Sequence, residues 1–334
     1  MGLTMTKSAA LSVEDIVSRT GMHEETVRGW LRSGALRGIQ GKSKRDGWRI
    51  EASEFERFQR SREGQRRTAR VIAFSNQKGG VGKTTTTANL GYALAERGRR
   101  VLVVDCDAQA NLSLGLGVAD VAPARSIVGI LGTPGRKLSE VIVPTKTPGL
   151  EIVPSHLELA EVDQVLTAKF GGHNTLRNAI SPEVIAHYDY ILLDSPPNFG
   201  QLTFNVLCAA SEVIVPVASH FYALQGLTAL LNRVEEVKRE ANPRLRVVGL
   251  LATRFDPRVL LCKDVVAALP KHGPVFQTVI HEASKAAEAP AWGQTVLETD
   301  SRSQSATQHR RLAAEVEYGI GVFEPGDPPL QVTT

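Results

Sequence analysis

The sequence predicts an α/β fold from Arg70 to about residue 320, a mostly parallel sheet flanked by helices, with a small helical unit ahead of it. Three observations predict it. Short apolar runs alternate with helical stretches, the pattern of strands joined by right-handed helical crossovers. Several of those runs are apolar throughout rather than at every second residue, as strands covered on both faces are. The first run leads through a glycine-rich loop directly into a helical stretch, the context that a phosphate-binding loop needs.

In chain order the small unit comes first, over residues 1–60. "LSVEDIVSRTGMHEETVRGWLRSGALRG" reads as two helices and a tight turn at Gly21. Ser12 is placed to cap the first helix with Asp15 three residues on. Val13, Ile16 and Val17 give that helix its apolar stripe, and Val27, Trp30 and Leu31 turn the second one inward. Thr26, Arg28 and Arg32 are then expected outward, on a helix that can enter a major groove. "GIQGKSKRDGWRI" follows as a glycine-bounded basic hairpin carrying Lys42, Lys44 and Arg45, and Ser53 with Glu56 is expected to cap a third helix. Residues 61–69, "SREGQRRTA", show no apolar period and read as a basic linker.

The strands of the larger domain, 70–320, are expected at 70–75, 100–107, 150–155, 188–194, 212–217, 246–252 and 274–280. Helices lie between them, among others at 84–97 and 223–241. The proline-rich residues 321–334 read as a frayed tail.

Bulk properties narrow the function classes. The chain has 334 residues, 42% hydrophobic and 22% charged, which suits a soluble protein of two domains. No apolar run reaches eighteen residues, so no membrane span is expected, and the N-terminus lacks the apolar core of a signal peptide. Three widely spaced cysteines and no C-x-x-C fit a cytoplasmic protein without disulfides or a cysteine-held metal. Charge is uneven. Residues 1–70 hold 15 Lys and Arg against 9 Asp and Glu, a balance of +6, whereas the rest holds 24 against 26, a balance of −2. A basic front points to nucleic acid.

"NQKGGVGKTTTTANL", residues 76–90, is the phosphate loop. Gly79, Gly80 and Gly82, with Val81 between them, let backbone N–H groups turn inward around phosphate oxygens. The following helix adds its positive end. Lys83 is placed for the β- and γ-phosphates, and Thr84, followed by Thr85, for Mg²⁺. Gln77 stands where the usual pattern has glycine, and a second lysine, Lys78, has no place in that pattern. Carboxylates close the site. "DCDAQAN" offers Asp105 and Asp107, and "ILLDSPP" offers Asp194, all at carboxyl ends of strands, where open α/β sheets bind ligands. Asp194 is placed to position Mg²⁺ or its water, and one of the pair Asp105 and Asp107 to orient an attacking water.

These motifs resemble the ParA/MinD family of deviant Walker A P-loop ATPases, and most closely its Soj-like DNA-partition members, over roughly residues 70–320. "KGGVGKTTT", "VLVVDCDAQANLSLGLG" and "YDYILLDSPPNFGQLTFNVLCAASEVIVPV" carry the resemblance, with Ala108 where proline is usual. It implies that Lys78 crosses to the phosphates of a partner subunit, so that ATP holds a homodimer together. It implies that Asp107 orients the water and serves the metal, that Asp105 is its structural or metal-supporting neighbour, and that Asp194 is the Walker B acid. Pro216, Val217, Thr253 and Arg254 match positions near the adenine. By the same resemblance Arg258 and Lys285 face non-specific DNA. Glu282 and Ala283 stand where the family has asparagine and arginine, and Arg254 or Lys271 is then expected to supply the missing charge.

The front unit resembles excisionase/MerR-like winged helix-turn-helix domains, which implies operator binding by Arg28, Arg32, Lys42, Lys44 and Arg45. The whole then resembles a cytoplasmic, nucleoid-associated partition ATPase using ATP and Mg²⁺, released from DNA by a ParB-like partner and repressing its own operon. A nucleotide-gated transcription regulator is the second reading. A membrane-bound MinD-like role ranks last, because the tail after Tyr318 carries prolines and acids instead of a basic amphipathic helix.

Overall fold

The computed structural model describes residues 10–20, 22, 24–32, 34–40, 47–64, 68–220 and 223–319. They fall into two compact units, one from the described residues of Met1–Arg67 and Arg311–Gly321, the other from those of Thr68–Arg310. Gly21, Lys42, Lys44, Arg45 and the tail 321–334 lie outside the described residues.

In the first unit, strands β1 (Ala10–Leu11), β2 (Ile39–Gln40) and β3 (Trp48–Glu51) form an antiparallel sheet in the order β1-β3-β2. Helices α1 (Val13–Thr20), α2 (Glu24–Arg32) and α3 (Ala52–Gly64) complete it. The start of α1 is fixed reciprocally: the Asp15 N–H donates to Ser12 Oγ at 3.0 Å, and the Ser12 N–H to the Asp15 carboxylate at 2.8 Å. That acceptor role holds the Asp15 carboxyl below the usual carboxylate range.

The core gathers Ile16, Val27, Trp30, Leu31, Leu36, Ile50, Phe55 and Phe58. Ala314 and Tyr318, from the helix Gln304–Tyr318, belong to the same core, with the Tyr318 ring 6.0 Å from Trp30. The second half of that helix, expected with the α/β domain, therefore packs in the front unit. Thr26 is buried rather than outward. It lies four residues before Trp30, on the same helical face, so the inward stripe of α2 runs over 26, 27, 30 and 31. Two boundaries also differ. α3 begins at Ala52, so Ser53 lies inside it with its hydroxyl 3.4 Å from the Glu51 carboxylate. The same helix continues to Gly64, taking in the first residues of the expected linker.

In the second unit a seven-stranded sheet has the order β10-β9-β4-β8-β5-β7-β6. Its strands are β4 (Arg70–Phe74), β5 (Val101–Asp105), β6 (Val143–Pro144), β7 (Leu150–Val153), β8 (Tyr190–Asp194), β9 (Glu212–Ala218) and β10 (Arg246–Thr253). All pairs are parallel except the short edge strand β6, which runs antiparallel to β7. β4, β5, β8 and β9 are buried almost end to end, as continuous apolar runs require.

The run at 274–280 is not a seventh parallel strand. Leu250 O accepts from the Phe276 N–H and Ala252 O from the Ile280 N–H. Acceptors two residues apart are thus met by donors four apart. Two extra residues leave the ladder, and only isolated bridges at Val275 and His281 remain.

Candidate functional site

Register brings the functional strand ends together. β8 lies between β4 and β5, with Phe74 and Asp105 both level with Asp194. The loop leaving β4, Asp105 ending β5, Asp107 just beyond it and Asp194 ending β8 therefore share one edge of the sheet. Helix α4 (Lys83–Glu96) starts from that loop.

The loop's shape comes from its glycines. Gly80 and Gly82 hold φ of 70° and 85°, the left-handed region that favours glycine. Neighbouring strands fix it from outside. The Asn76 amide donates to Pro216 O on β9 at 2.7 Å, and its oxygen accepts the Lys78 N–H at 3.0 Å. The Thr253 hydroxyl at the end of β10 donates to Val81 O at 2.8 Å. Arg254 donates to Gly80 O at 3.0 Å. Pro216 and Thr253, expected at the base, thus lie against the loop itself, while Val217 is buried in the sheet.

The two lysines behave differently. Lys83 is 6% exposed, and its ammonium donates to Asn76 O at 3.0 Å and Lys78 O at 3.3 Å. Burial pulls its pKa down, against the pull of Asp194 and Asp107. Lys78 is exposed, as are Gly79 and Gly80 beside it.

Three carboxylates face this loop. Asp194 is fully buried and accepts from the Thr84 hydroxyl at 2.7 Å. Burial, with Asp105 adding to it, pushes its pKa up to about 8, against the Thr84 hydrogen bond and Lys83. Asp105 is also fully buried and pushed up to about 6 by burial, although the Ser113 hydroxyl at 2.7 Å and N–H at 2.9 Å both donate to it. Asp107 is half-buried; its N–H donates to Asp105 at 3.1 Å, and its own carboxylate accepts the Gln109 N–H at 3.1 Å. Asp105 is therefore a support that aims Asp107.

The arrangement suits a polyanion with a hard divalent cation. Two buried acids stand beside a loop bent by left-handed glycines and one buried ammonium. Among the described residues no cluster of His, Cys, Asp and Glu forms a protein cage for a metal. The Thr84 hydroxyl and the Asp194 carboxylate, 2.7 Å apart, are hard oxygen donors of the kind that would hold a Mg²⁺.

Sequence reasoning missed several contributors. Asn76 ties the loop to β9, Ser113 holds Asp105, and the Thr87 hydroxyl stands 3.4 Å from Asp194. A polar residue just past an apolar strand was the signal for Asn76. Ser113 and Thr87 gave none, because their roles depend on helix phase.

The candidate DNA residues are spread apart. On α2, Arg28 pairs with Glu24 one turn earlier, and Arg32 is exposed. In the second unit three of the four candidate cations are met by an acid. Arg258, 88% exposed, forms a fork with Asp256 and holds that carboxyl down at about 2. Lys285 bonds Asp300 at 2.7 Å. Arg254 is drawn to Glu282 and the loop rather than left outward, and Lys271 is exposed. Such exposed pairs contribute little to stability, so exchange for a phosphate is cheap. Among the described residues no helix is long and apolar enough to cross a membrane.

Residues 69–247 match the AAA domain family, and residues 10–63 match the helix-turn-helix domain family. The chain is 42% identical over 253 residues to the chromosome-partitioning ATPase Soj of Thermus thermophilus, covering 75% of this chain and 96% of that one. It is 38% identical over 249 residues to the sporulation initiation inhibitor protein Soj of Bacillus subtilis, covering 74% and 98%. Among solved structures, cobyrinic acid a,c-diamide synthase from Mycobacterium smegmatis, with bound ATP analogue and magnesium, superposes with a TM-score of 0.65 at 32% identity, over 74% of this chain and 94% of that one.

Proposed function

Since the chain belongs to the ParA/MinD family of P-loop ATPases and carries a helix-turn-helix domain ahead of the ATPase domain, we propose that it is a DNA-partition ATPase whose ATP-bound dimer binds DNA non-specifically. The observation that carries this reading is the pair of lysines on one loop. Lys83 is buried within its own loop, whereas Lys78 is presented outward. A buried cation serves the phosphates of its own site. An outward one, five residues earlier, is available to a triphosphate held by a second subunit.

In this reading the N–H groups of Gly79–Thr85 hold the ATP phosphates. Thr84, Asp194 and Asp107 serve Mg²⁺ directly or through water, with Pro216 and Thr253 on the base side. Held there, Mg²⁺ would supply positive charge against the phosphate oxygens. Asp107, aimed by Asp105, orients the attacking water. Charge on the second lysine favours triphosphate over diphosphate, so ATP closes the dimer and hydrolysis opens it. Arg258 and Lys285 contact DNA phosphates in the closed form. A ParB-like protein stimulates turnover and release, placing the protein on the nucleoid between cycles. The front unit, through Arg28, Arg32, Lys42, Lys44 and Arg45, binds the operator of its own operon.

Binding to a random-sequence duplex, measured with ATP–Mg²⁺, with ADP–Mg²⁺ and without nucleotide, tests the proposal. Tight binding with ATP alone is expected. Binding that ignores nucleotide, or fails in all three states, would refute the clamp and leave a regulator acting through its front unit.

A further inference from the structure

Arg254 is one of three non-glycine residues with positive φ among the described residues, at 51°. Its side chain cannot form the short local hydrogen bonds that let Asn or Asp adopt this region cheaply. Backbone held there by its surroundings is a mark of a functional position. The conformation directs the guanidinium back over the phosphate loop, where one nitrogen donates to Gly80 O at 3.0 Å. The other two form a fork on Glu282, at 2.8 and 3.0 Å. Glu282 is itself pinned. Its N–H donates to Phe255 O at 3.1 Å, and the preceding His281 N–H to Gln308 at 3.0 Å.

A peptide plane is trans and rigid, so its C=O and N–H point in opposite directions. Gly80 O is held by Arg254, which sends the Val81 N–H to the other side. Val81 O is held by Thr253, which does the same for the Gly82 N–H. Consecutive residues at the end of β10 thus set two consecutive peptides of the loop. Left-handed Gly80 and Gly82 around Val81 are the backbone conformations that suit such N–H groups to an anion-binding nest.

Resting on the ATPase reading above, we propose that Arg254, strapped by Glu282, is a positioning residue that sets the Gly80–Val81 peptide for the nucleotide phosphates before the nucleotide arrives. An unstrapped arginine on the surface would sample many rotamers, and the planar fork removes that freedom. The ion pair itself is exposed, with side-chain accessibilities of 44% and 51%, so it adds little to fold stability. Its effect falls on the loop.

The test compares Arg254→Met, Arg254→Lys, Glu282→Gln and the Met/Gln double variant in the full chain. Dissociation constants for ATP and ADP with Mg²⁺ are measured by calorimetry, together with kcat, KM and unfolding temperature without nucleotide. Arg254→Met and Glu282→Gln are expected to weaken ATP and ADP alike by roughly three- to ten-fold, the net effect of one ordinary hydrogen bond, because the exposed contact acts on nucleotide only through the loop. KM rises with kcat held, because the loop binds ground and transition states equally. The double variant is no worse than Arg254→Met, since the two act as one unit. Arg254→Lys, which keeps one of the bonds, falls between. Nucleotide affinity within about two-fold of wild type in Arg254→Met, or in Glu282→Gln if the former does not fold, overturns the proposal. So does an affinity loss fully accounted for by a lower unfolding temperature. Lys83→Ala separates the two claims: retained ATP binding there refutes the ATPase reading, and the strap with it.

Discussion

Lys78→Ala should leave the isolated protein intact and disable its ATP-bound dimer. The Lys78 side chain is exposed, and no hydrogen bond or ion pair of its ammonium is found among the described residues. Its removal therefore vacates no core and strands no buried partner, and the monomer's unfolding temperature should not move. The proposed contact, an ammonium on a triphosphate across the interface, is a charge-assisted hydrogen bond worth about 1.5–3 kcal/mol. A two-fold dimer has two of them, about 3–6 kcal/mol in all. At about 1.4 kcal/mol per tenfold, dimer dissociation should rise by roughly 10²- to 10⁴-fold. Sedimentation velocity with ATP–Mg²⁺, in an Asp107→Ala background that keeps the nucleotide whole, measures this directly. ATP binding by the monomer should persist, because Lys83 remains. A variant that dimerises as tightly as its parent would refute the reasoning, and the outward lysine would then be an ordinary solvated charge.

Asp107→Ala should bind ATP normally yet hydrolyse it at least about a hundredfold more slowly, the usual range for a positioned proton-transfer group; unchanged single-turnover rates would unseat it. Stability without nucleotide should fall as pH rises. Asp194 and Asp105 are raised to about 8 and about 6 by burial, so the folded chain keeps protons that the unfolded chain has already lost above about pH 4. The proton-linked stability declines from there until the folded groups ionise, near pH 8 for Asp194. From pH 6 to 8 this amounts to at most about 2.7 kcal/mol, read by denaturant melts and reduced in Asp194→Asn. Arg258→Glu should weaken random DNA binding and flatten its salt dependence by about one unit per contact, whereas an unaltered slope would remove Arg258 from the interface.

Much of the ATPase site was legible because its chemistry is local in sequence. A glycine-rich loop between a strand and a helix needs only neighbours, and aspartates at strand ends fall on the right edge in any parallel sheet. What stayed hidden depends on contacts across the chain. Glu282 appeared only as a departure from the family's asparagine, and its pairing with Arg254 required β10 and the following segment to be laid side by side. The irregular run at 274–280 looked like a strand because apolar composition cannot reveal two surplus residues in a ladder. Thr26 was placed outward because a hydroxyl reads as polar, although helical phase puts it beneath Trp30.

The joint origin of the front unit's core has a consequence for synthesis. Gln59 and Tyr318 lie 259 residues apart in the chain, yet the Gln59 amide reaches the Tyr318 hydroxyl at 3.3 Å. A ribosome moving at about 5–20 residues per second needs on the order of 10–50 s to travel from one to the other. For that interval the first unit emerges without the residues that close around Trp30. The part expected to read an operator is begun before the α/β domain and completed after it, and a chain that stops short of Ala314 never completes that core.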